Sequence, residues 1–300
     1  MAGMIVDLLN KVDEISSGFV IHGYQSLANH YAPDIYALVI LSLMVFGYSV
    51  ATGWISLSLP EVSKRILLVG FVLEFALNWG TFSTYVYDFF TQAPNELTDK
   101  LIQSMPHSIV IAHGVNGALQ QAFYDGIGYG VAIMDQATAL HWTPFFCGCA
   151  VILLANLLTG IALIEIVSAK LGLSIFLVLA PVIIPTLLFK ALKEMLFEGW
   201  IKHLITCAFV PIFVTTALAL GLSLLANSST EIASSVKADS INISHMMAYI
   251  LSMIVCIGLV IKAMHMATSM AGGFAMGMTP YLANKAHSFM RRHPFKSSNK

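Results

Sequence analysis

Glu74 is the first residue of this chain whose type and surroundings could do chemistry. It stands in the apolar stretch 66–87, and Asn78 follows one helical turn later. A carboxylate inside a membrane-spanning helix is costly, so such a residue is a candidate for a proton or ion path. The alternative is a carboxyl group that faces a wet interior or bonds to a neighbour such as Asn78, and the sequence leaves both open.

Aromatic residues crowd the following turns, in "LNWGTFSTYVYDFF" at 77–90. Trp79, Tyr85 and Tyr87 fit an aromatic belt at a membrane–water interface, where amphipathic rings are favoured. Gly80 would permit close contact with another helix.

Soft metal ligands occur in "MHMATSMAGGFAMGM" at 264–278, whose five methionines and His265 could bind Cu(I). The alternative is a flexible packing segment. The four cysteines lie in apolar runs without a CxxC pair, which favours packing roles for them. We therefore expect no metal site and no cofactor.

No catalytic motif is present in the sequence. HExxH, a phosphate-binding Walker loop, GxSxG and a GxGxxG after a strand are all missing. The sequence therefore predicts that the chain is not an enzyme and does not itself use ATP.

The densest charge lies in "LFKALKEMLFEGWIKHL", residues 188–204, which we call the elbow. Charged residues recur there at intervals of four, which predicts a charged helical face with ion pairs between successive turns. The members of that face are Lys190, Glu194, Glu198 and Lys202, with Lys193 beside them. The apolar residues opposite are Phe189, Leu192, Leu196 and Trp200.

This pattern is typical of an amphipathic helix at the membrane interface. It either anchors the orientation of the protein or forms a contact for a cytoplasmic partner. The residues predicted for that contact are Trp200, Phe197, Glu198, Lys190 and Lys193.

Composition places these candidates in a membrane protein. The chain has 300 residues, of which 57% are hydrophobic and 10% charged, against about 25% charged in soluble domains. The fold class that we predict is all-α, a polytopic integral membrane protein with about five to six transmembrane helices and added amphipathic interfacial helices. The N-terminus lacks the features of a cleaved signal peptide.

Hydropathy divides the chain into five parts. Residues 1–33 form an amphipathic interfacial segment whose apolar face carries Ile5, Leu8, Val12, Ile15 and Phe19. Residues 34–90 form a first pair of spans, which begins at Pro33 and Asp34 because both suit a helix start. Residues 91–143 form an extramembrane loop. Residues 144–265 form a C-terminal bundle, and 266–300 a Gly/Met-rich segment with a basic tail.

The stretch 145–189 is ambiguous. Lys170 and Gly172 are expected to split it, and Pro181 and Pro185 to break its second half, since each proline removes a backbone donor. Two crossings and one crossing with a broken piece both fit. No repeat between the two halves of the chain is evident.

Orientation follows from Lys and Arg, which favour cytoplasmic loops. With one crossing at 145–189, Lys64 and Arg65 lie inside; with two, they exchange sides with Lys11 and Lys100. Eleven basic residues lie inside in either arrangement. Both place the elbow and the tail in the cytoplasm, and they differ on the side taken by 91–142.

Three stretches carry a family resemblance: "LNWGTFSTYVYDFF", the broken span "LAPVIIPTLLF" and, above all, "LFEGWIKHLITCAFVPIFV". In their order and spacing the chain resembles the TrbL/VirB polytopic inner-membrane subunit of type IV secretion systems, the sixth component of the VirB-type apparatus. The resemblance covers roughly residues 30–265. The tryptophan of the family's elbow motif corresponds to Trp200.

The resemblance implies a channel or scaffold subunit of the bacterial inner membrane that supports conjugative transfer of relaxase-bound DNA, effector export and pilus assembly. It implies a periplasmic N-terminus and central loop, about five spans and a cytoplasmic C-terminus. Implied partners are further copies of the chain, pilus-tip or stalk subunits, pilin, bridging subunits, secretion ATPases and, transiently, the translocated substrate. The competing prediction is a small-molecule or ion transporter, with Cu(I) as one candidate cargo.

Overall fold

The structure, a computed structural model, describes residues 3–54, 58–103, 114–137, 142–237 and 243–276. These residues form helices and turns only. In chain order the helices are α1 (Met4–Ala51), α2 (Leu59–Leu77), α3 (Trp79–Phe82), α4 (Asp88–Gln103), α5 (Gly114–Met134), α6 (Thr143–Val178), α7 (Ala180–Ile183), α8 (Lys190–Leu192), α9 (Glu198–Lys237) and α10 (Ile243–Met276). The π turns Ser83–Tyr87 and Lys193–Phe197 precede α4 and α9, and the 3-10 turn Ile184–Leu188 follows α7.

In the described part of the chain, four helices are long and apolar enough to cross a membrane: Met4–Ala51, Thr143–Val178, Lys190–Leu225 and Met247–Met270. Leu59–Leu77 and Trp79–Leu101 meet at 93° and make a fifth when counted as one broken span. The prediction of an all-α polytopic membrane protein is confirmed, with four or five candidate spans against the five to six expected.

Helix α1 runs without a break through Pro33, where we expected the first span to begin. Pro33 and Asn29 both lie on the exposed side of the helix. Because proline has no N–H, the carbonyl of Asn29 lacks its hydrogen bond from position 33. This carbonyl lies on the exposed side, so no buried polar group is left without a partner. The amphipathic segment and the first span are therefore one helix.

The start of α1 carries apolar residues on two faces, one packed inside its own chain and one exposed. The predicted contact of the exposed face with a membrane surface stays a prediction. Three residues of the predicted face are exposed: Leu8 (48%), Ile15 (59%) and Phe19 (51%). The buried residues are Ile5, Leu9, Ser16 and Val20. Apolar residues occupy both faces of this segment, and packing against α5 and α6 selects the inner one.

Helix α6 is continuous through Lys170 and Gly172, so the predicted split at these residues is wrong. The Lys170 ammonium lies 2.7 and 2.8 Å from the two carboxylate oxygens of Asp13 in α1, which neutralises its charge. A side chain at position 172 would come within 3.2 Å of the Cys207 sulfur, so Gly172 permits close approach of α9.

The predicted break at Pro181 and Pro185 is confirmed: α6 ends at Val178, and each proline starts a new short turn.

Helix α5 lies in the stretch that we predicted as an extramembrane loop, and it packs along α6. A Cβ atom on Gly148 would lie 2.6 Å from the Gly130 carbonyl oxygen, and one on Gly126 would lie 2.3 Å from the Ala155 Cβ. The glycines of "GIGYG" at 126–130 thus allow α5 to pack tightly against α6. The extramembrane position of 91–143 stays a prediction.

In the part of the chain that the structure describes, buried side chains form two apolar clusters. The bundle core joins the start of α1 to α5, α6, α9 and α10, and includes Leu9, Leu119, Leu158, Val214 and Tyr249. The elbow core joins the middle of α1 to α2, α3, the end of α6, α7 and the start of α9, and includes Tyr24, Val72, Phe82, Leu177 and Trp200. Lys170 lies between them, since Ala169 belongs to the first cluster and Leu173 to the second.

Candidate functional site

The elbow turns at Phe189, whose backbone is extended (φ −121°, ψ 121°). Every side chain from Lys190 to Leu196 is exposed, whereas Phe197 and Glu198 are half-buried. Leu192 and Leu196 are 39% and 43% exposed, whereas Trp200 is buried, so the predicted apolar face divides between the surface and the interior. Its position at a membrane interface stays a prediction.

The ion pairs predicted along the elbow do not form. Within the described ranges, the ion pairs are Lys64–Glu61 and Lys170–Asp13. For Lys190 and Glu194 the reason is the π turn Lys193–Phe197, because a π turn places residue i+5, rather than i+4, over residue i. The charged stripe read at intervals of four is therefore interrupted. Glu198 and Lys202 both lie in the regular helix α9, and nothing in the structure explains why they do not pair.

Trp200 is buried, with 5% of its surface exposed. Its indole Nε1 donates a hydrogen bond of 2.7 Å to the carbonyl oxygen of Phe176. Phe176 lies in the last turn of α6, where carbonyl groups lack intrahelical partners. The Phe197 ring packs on Trp200 at a centroid distance of 5.6 Å. Trp200 thus ties the start of α9 to the end of α6, and its surface is turned toward its own chain.

A second break stands at Asn78, between α2 and α3. Asn78 is extended (φ −100°, ψ 104°), and its Oδ1 accepts hydrogen bonds from the Gly80 and Thr81 amides, which caps α3. The carbonyl oxygen of Phe75, in the last turn of α2, accepts a 2.8 Å hydrogen bond from the Tyr24 hydroxyl. A donor from another helix again satisfies a carbonyl at a helix break.

Glu74 supports this cap. Its Oε1 accepts hydrogen bonds from Asn78 Nδ2 at 2.8 Å and from Thr81 Oγ1 at 2.6 Å. These bonds orient the Asn78 amide so that its oxygen faces the α3 amides. Glu74 is exposed on the outside of the chain, whereas a path through the bundle needs polar groups on an inner face, so the proton-path prediction gains no support.

Trp79 belongs to an aromatic cluster inside the elbow core. Its ring centroid lies 5.1 Å from Tyr24 and 5.8 Å from Tyr87, and Phe82 stacks on Tyr24 at 4.6 Å. Of the residues predicted for an aromatic belt, Tyr85 is the exposed one, at 68%. The belt prediction therefore fits Tyr85 but not Trp79 or Tyr87, which pack between helices.

Arg65 donates hydrogen bonds to a third carbonyl group at a helix break. Its Nη1 donates to the carbonyl of Leu188, the last residue of the 3-10 turn, at 3.2 Å. Its Nη2 donates to the Ser42 carbonyl in α1 at 2.7 Å. The planar guanidinium can bridge two carbonyls in this way, which a lysine ammonium does less rigidly.

The structure thus brings Trp200, Trp79, Pro181 and Pro185 to the elbow core and leaves Lys190 and Lys193 on the surface. Sequence reasoning missed Tyr24, Arg65 and Phe176, whose partners are 51, 123 and 24 residues away along the chain. The methionine-rich run is helical up to Met276, and residues 277 and 278 lie outside the described residues.

We predict that Trp200→Phe lowers the free energy of unfolding by about 1–3 kcal/mol, because it keeps an aromatic ring but strands the Phe176 carbonyl. Thermal unfolding of the detergent-solubilised protein measures this loss. The matched control is Trp54→Phe, since Trp54 is 78% exposed. Equal stability of the two variants would contradict the assigned role of the indole N–H.

Comparison with known protein families matches residues 39–263 to the TrbL/VirB6 plasmid conjugal transfer protein. A search of curated proteins finds no match to the chain. The matched range includes both helix breaks, the elbow, three of the five candidate spans in full and parts of the first and the last. Because the match covers well over half of its residues, the chain belongs to the TrbL/VirB6 plasmid conjugal transfer family.

Proposed function

We propose that this protein is a non-enzymatic channel or scaffold subunit of a type IV secretion system in the bacterial inner membrane. It would support conjugative transfer of DNA–protein complexes or export of effector proteins, together with pilus assembly. Membership in the conjugal transfer family and the apolar helices carry the coarser statement, that of a multi-pass membrane component of type IV secretion.

Packing inside the chain supports a channel formed between copies. The space between α5, α6, α9 and α10 is filled by the apolar side chains of the bundle core, among them Leu158, Val214 and Tyr249. A filled core leaves little room for a polypeptide or a nucleic-acid strand within one chain. We therefore propose a homo-oligomer, with the substrate passing between subunits or alongside them.

The contacts of Arg65 support one of the two topologies. Arg65 lies at the start of α2 and bonds to Leu188, two residues before Lys190. The start of α2 and the elbow therefore share one end of the molecule. The arrangement with a single crossing at 145–189 puts Lys64, Arg65, Lys190 and Lys193 on the same side, whereas the one with two crossings separates them. Basic residues favour the cytoplasm, so we propose that this end is cytoplasmic.

The exposed elbow is then a surface for a cytoplasmic partner such as a secretion ATPase. Lys190 and Lys193 stand beside Met195, which is 76% exposed, and no described part of the chain covers them. Trp200 is a positioning residue in this proposal, because its hydrogen bond to Phe176 fixes where α9 begins. Pilin, stalk and bridging subunits would meet the protein on its periplasmic side.

Labelling of single cysteines tests the topology. In a background where the four native cysteines are replaced by serine, Lys64→Cys and Lys193→Cys should both resist an impermeant thiol reagent applied to intact cells. Glu96→Cys, on the exposed side of α4, should react from outside. Reaction of Lys64→Cys from outside while Lys193→Cys stays protected would overturn this topology.

Charge reversal at the elbow tests the partner contact. Lys193→Glu combined with Met195→Ser should reduce transfer by about tenfold or more, since losing one well-formed charged contact costs on the order of 1.4 kcal/mol. Conjugation frequency or effector export measures the effect, with protein abundance checked by immunoblot. Lys11→Glu, another exposed lysine, should transfer normally. Full transfer by the elbow variant would leave the elbow as an orientation anchor only.

A further inference from the structure

A cavity of about 100 Å³ lies between α1, α4, α6 and α9, where the bundle core meets the elbow core. Its polar lining includes Asp13, Ser16, Thr91, Asn95 and Lys170, and Tyr87 and Phe90 contribute rings. One water needs about 10–15 Å³ of such volume, so the cavity has room for several waters or for one small polar group.

Two opposite charges stand side by side at this cavity. The Lys170 side chain is 16% exposed and that of Asp13 is 49% exposed. Both short contacts of the Lys170 ammonium go to the same carboxylate, and an ammonium has three N–H donors. A donor direction on Lys170 therefore remains, and the half-exposed Asp13 keeps lone pairs that can accept further hydrogen bonds.

Ser16 contributes a buried hydroxyl group to the lining of this cavity. Its side chain lines the cavity and is 8% exposed, and its Oγ has no hydrogen-bond partner within the described residues. Buried hydroxyls are nearly always paired, so such a group points to a missing partner. Rotation about one side-chain bond can bring this hydroxyl to a ligand in the cavity.

The charge pattern selects the class of ligand. A simple anion drawn to Lys170 is repelled by Asp13, and a simple cation is repelled by Lys170. A molecule with both charges a few atoms apart satisfies both residues at once. We infer that this cavity binds an ethanolamine phosphate group, whose phosphate meets Lys170 and Ser16 and whose ammonium meets Asp13.

This group occurs in phosphatidylethanolamine and in soluble phosphoethanolamine. Native mass spectrometry of the delipidated protein in detergent distinguishes the two sources. The protein is mixed with phosphatidylethanolamine, phosphatidylcholine or phosphatidylglycerol, all with identical acyl chains. A separate sample contains phosphoethanolamine alone. Phosphatidylcholine is the telling comparison, because its trimethylammonium cannot donate an N–H hydrogen bond to Asp13.

We expect phosphatidylethanolamine to bind about tenfold more tightly than phosphatidylcholine, as one charge-assisted hydrogen bond predicts. Asp13→Asn should abolish this preference. Ser16→Val, which keeps the ion pair, should weaken both lipids, and Glu14→Gln, at the exposed neighbouring carboxylate, should change nothing. Binding of soluble phosphoethanolamine with the same dependence on Asp13 would support the site and assign it a soluble ligand.

Equal affinity for the three lipids would overturn the inference. A preference for phosphatidylethanolamine that survives Asp13→Asn would do the same, because it would place the lipid elsewhere. Circular dichroism and gel filtration identify variants that fail to fold. If Asp13→Asn is among them, Ser16→Val decides: unchanged lipid affinity in that variant counts against the site.

Discussion

The organisation of this protein depends on one constraint: a main-chain carbonyl at a helix break inside an apolar medium must find a donor. The apolar side chains of the elbow core supply no donor, and each unsatisfied buried group costs several kcal/mol. Three side chains from other helices meet the need. Trp200 serves the end of α6, Tyr24 the end of α2, and Arg65 the end of the 3-10 turn. Each of these hydrogen bonds links two elements of the fold, so the helices contact one another through polar bonds at the breaks.

The two breaks follow the same local plan, although the sequence shows no repeat between the halves. Asn78 and Phe189 are both extended, and each is followed by a helix of four or three residues and a five-residue π turn. The long helices that emerge, α4 and α9, pack on each other. Each contains a proline whose carbonyl accepts a 2.7 Å hydrogen bond from a threonine one turn later, in the pairs Pro94–Thr98 and Pro211–Thr215.

This arrangement bears directly on the elbow. Because Trp200 and Phe197 are held against the elbow core, the short segment between Phe189 and Phe197 stands out from the bundle with its lysines exposed. π turns often mark functional positions, and the elbow and the Asn78 break each contain one. Under the proposed function, the buried tryptophan sets the position of the surface, and the exposed lysines and Met195 make the contact.

Much of this could be predicted from the sequence, for identifiable reasons. Charge-free runs indicate spans because burial of charge in lipid is costly, and Pro181 and Pro185 indicate a break because proline has no N–H. The split predicted at Lys170 was wrong because the partner that neutralises this lysine, Asp13, is 157 residues away along the chain. The side of α1 that packs inside the chain could not be predicted, because a helix in lipid or at a subunit contact carries apolar residues outside as well as inside. The π turn at Lys193–Phe197 left no signal in the spacing of the side chains, so the predicted Lys190–Glu194 ion pair failed.

Hydrogen exchange of the Trp200 indole N–H shows whether its bond to the Phe176 carbonyl closes the end of α6. With ¹⁵N-labelled tryptophan and the protein in nanodiscs, each of the four indoles gives its own resonance. If Trp200 holds the Phe176 carbonyl, its indole N–H exchanges only through opening of the elbow core, and its signal persists long after that of Trp54 has gone. Exchange of Trp200 as fast as that of Trp54 would contradict the account, because the break at the end of α6 would then be closed by something else.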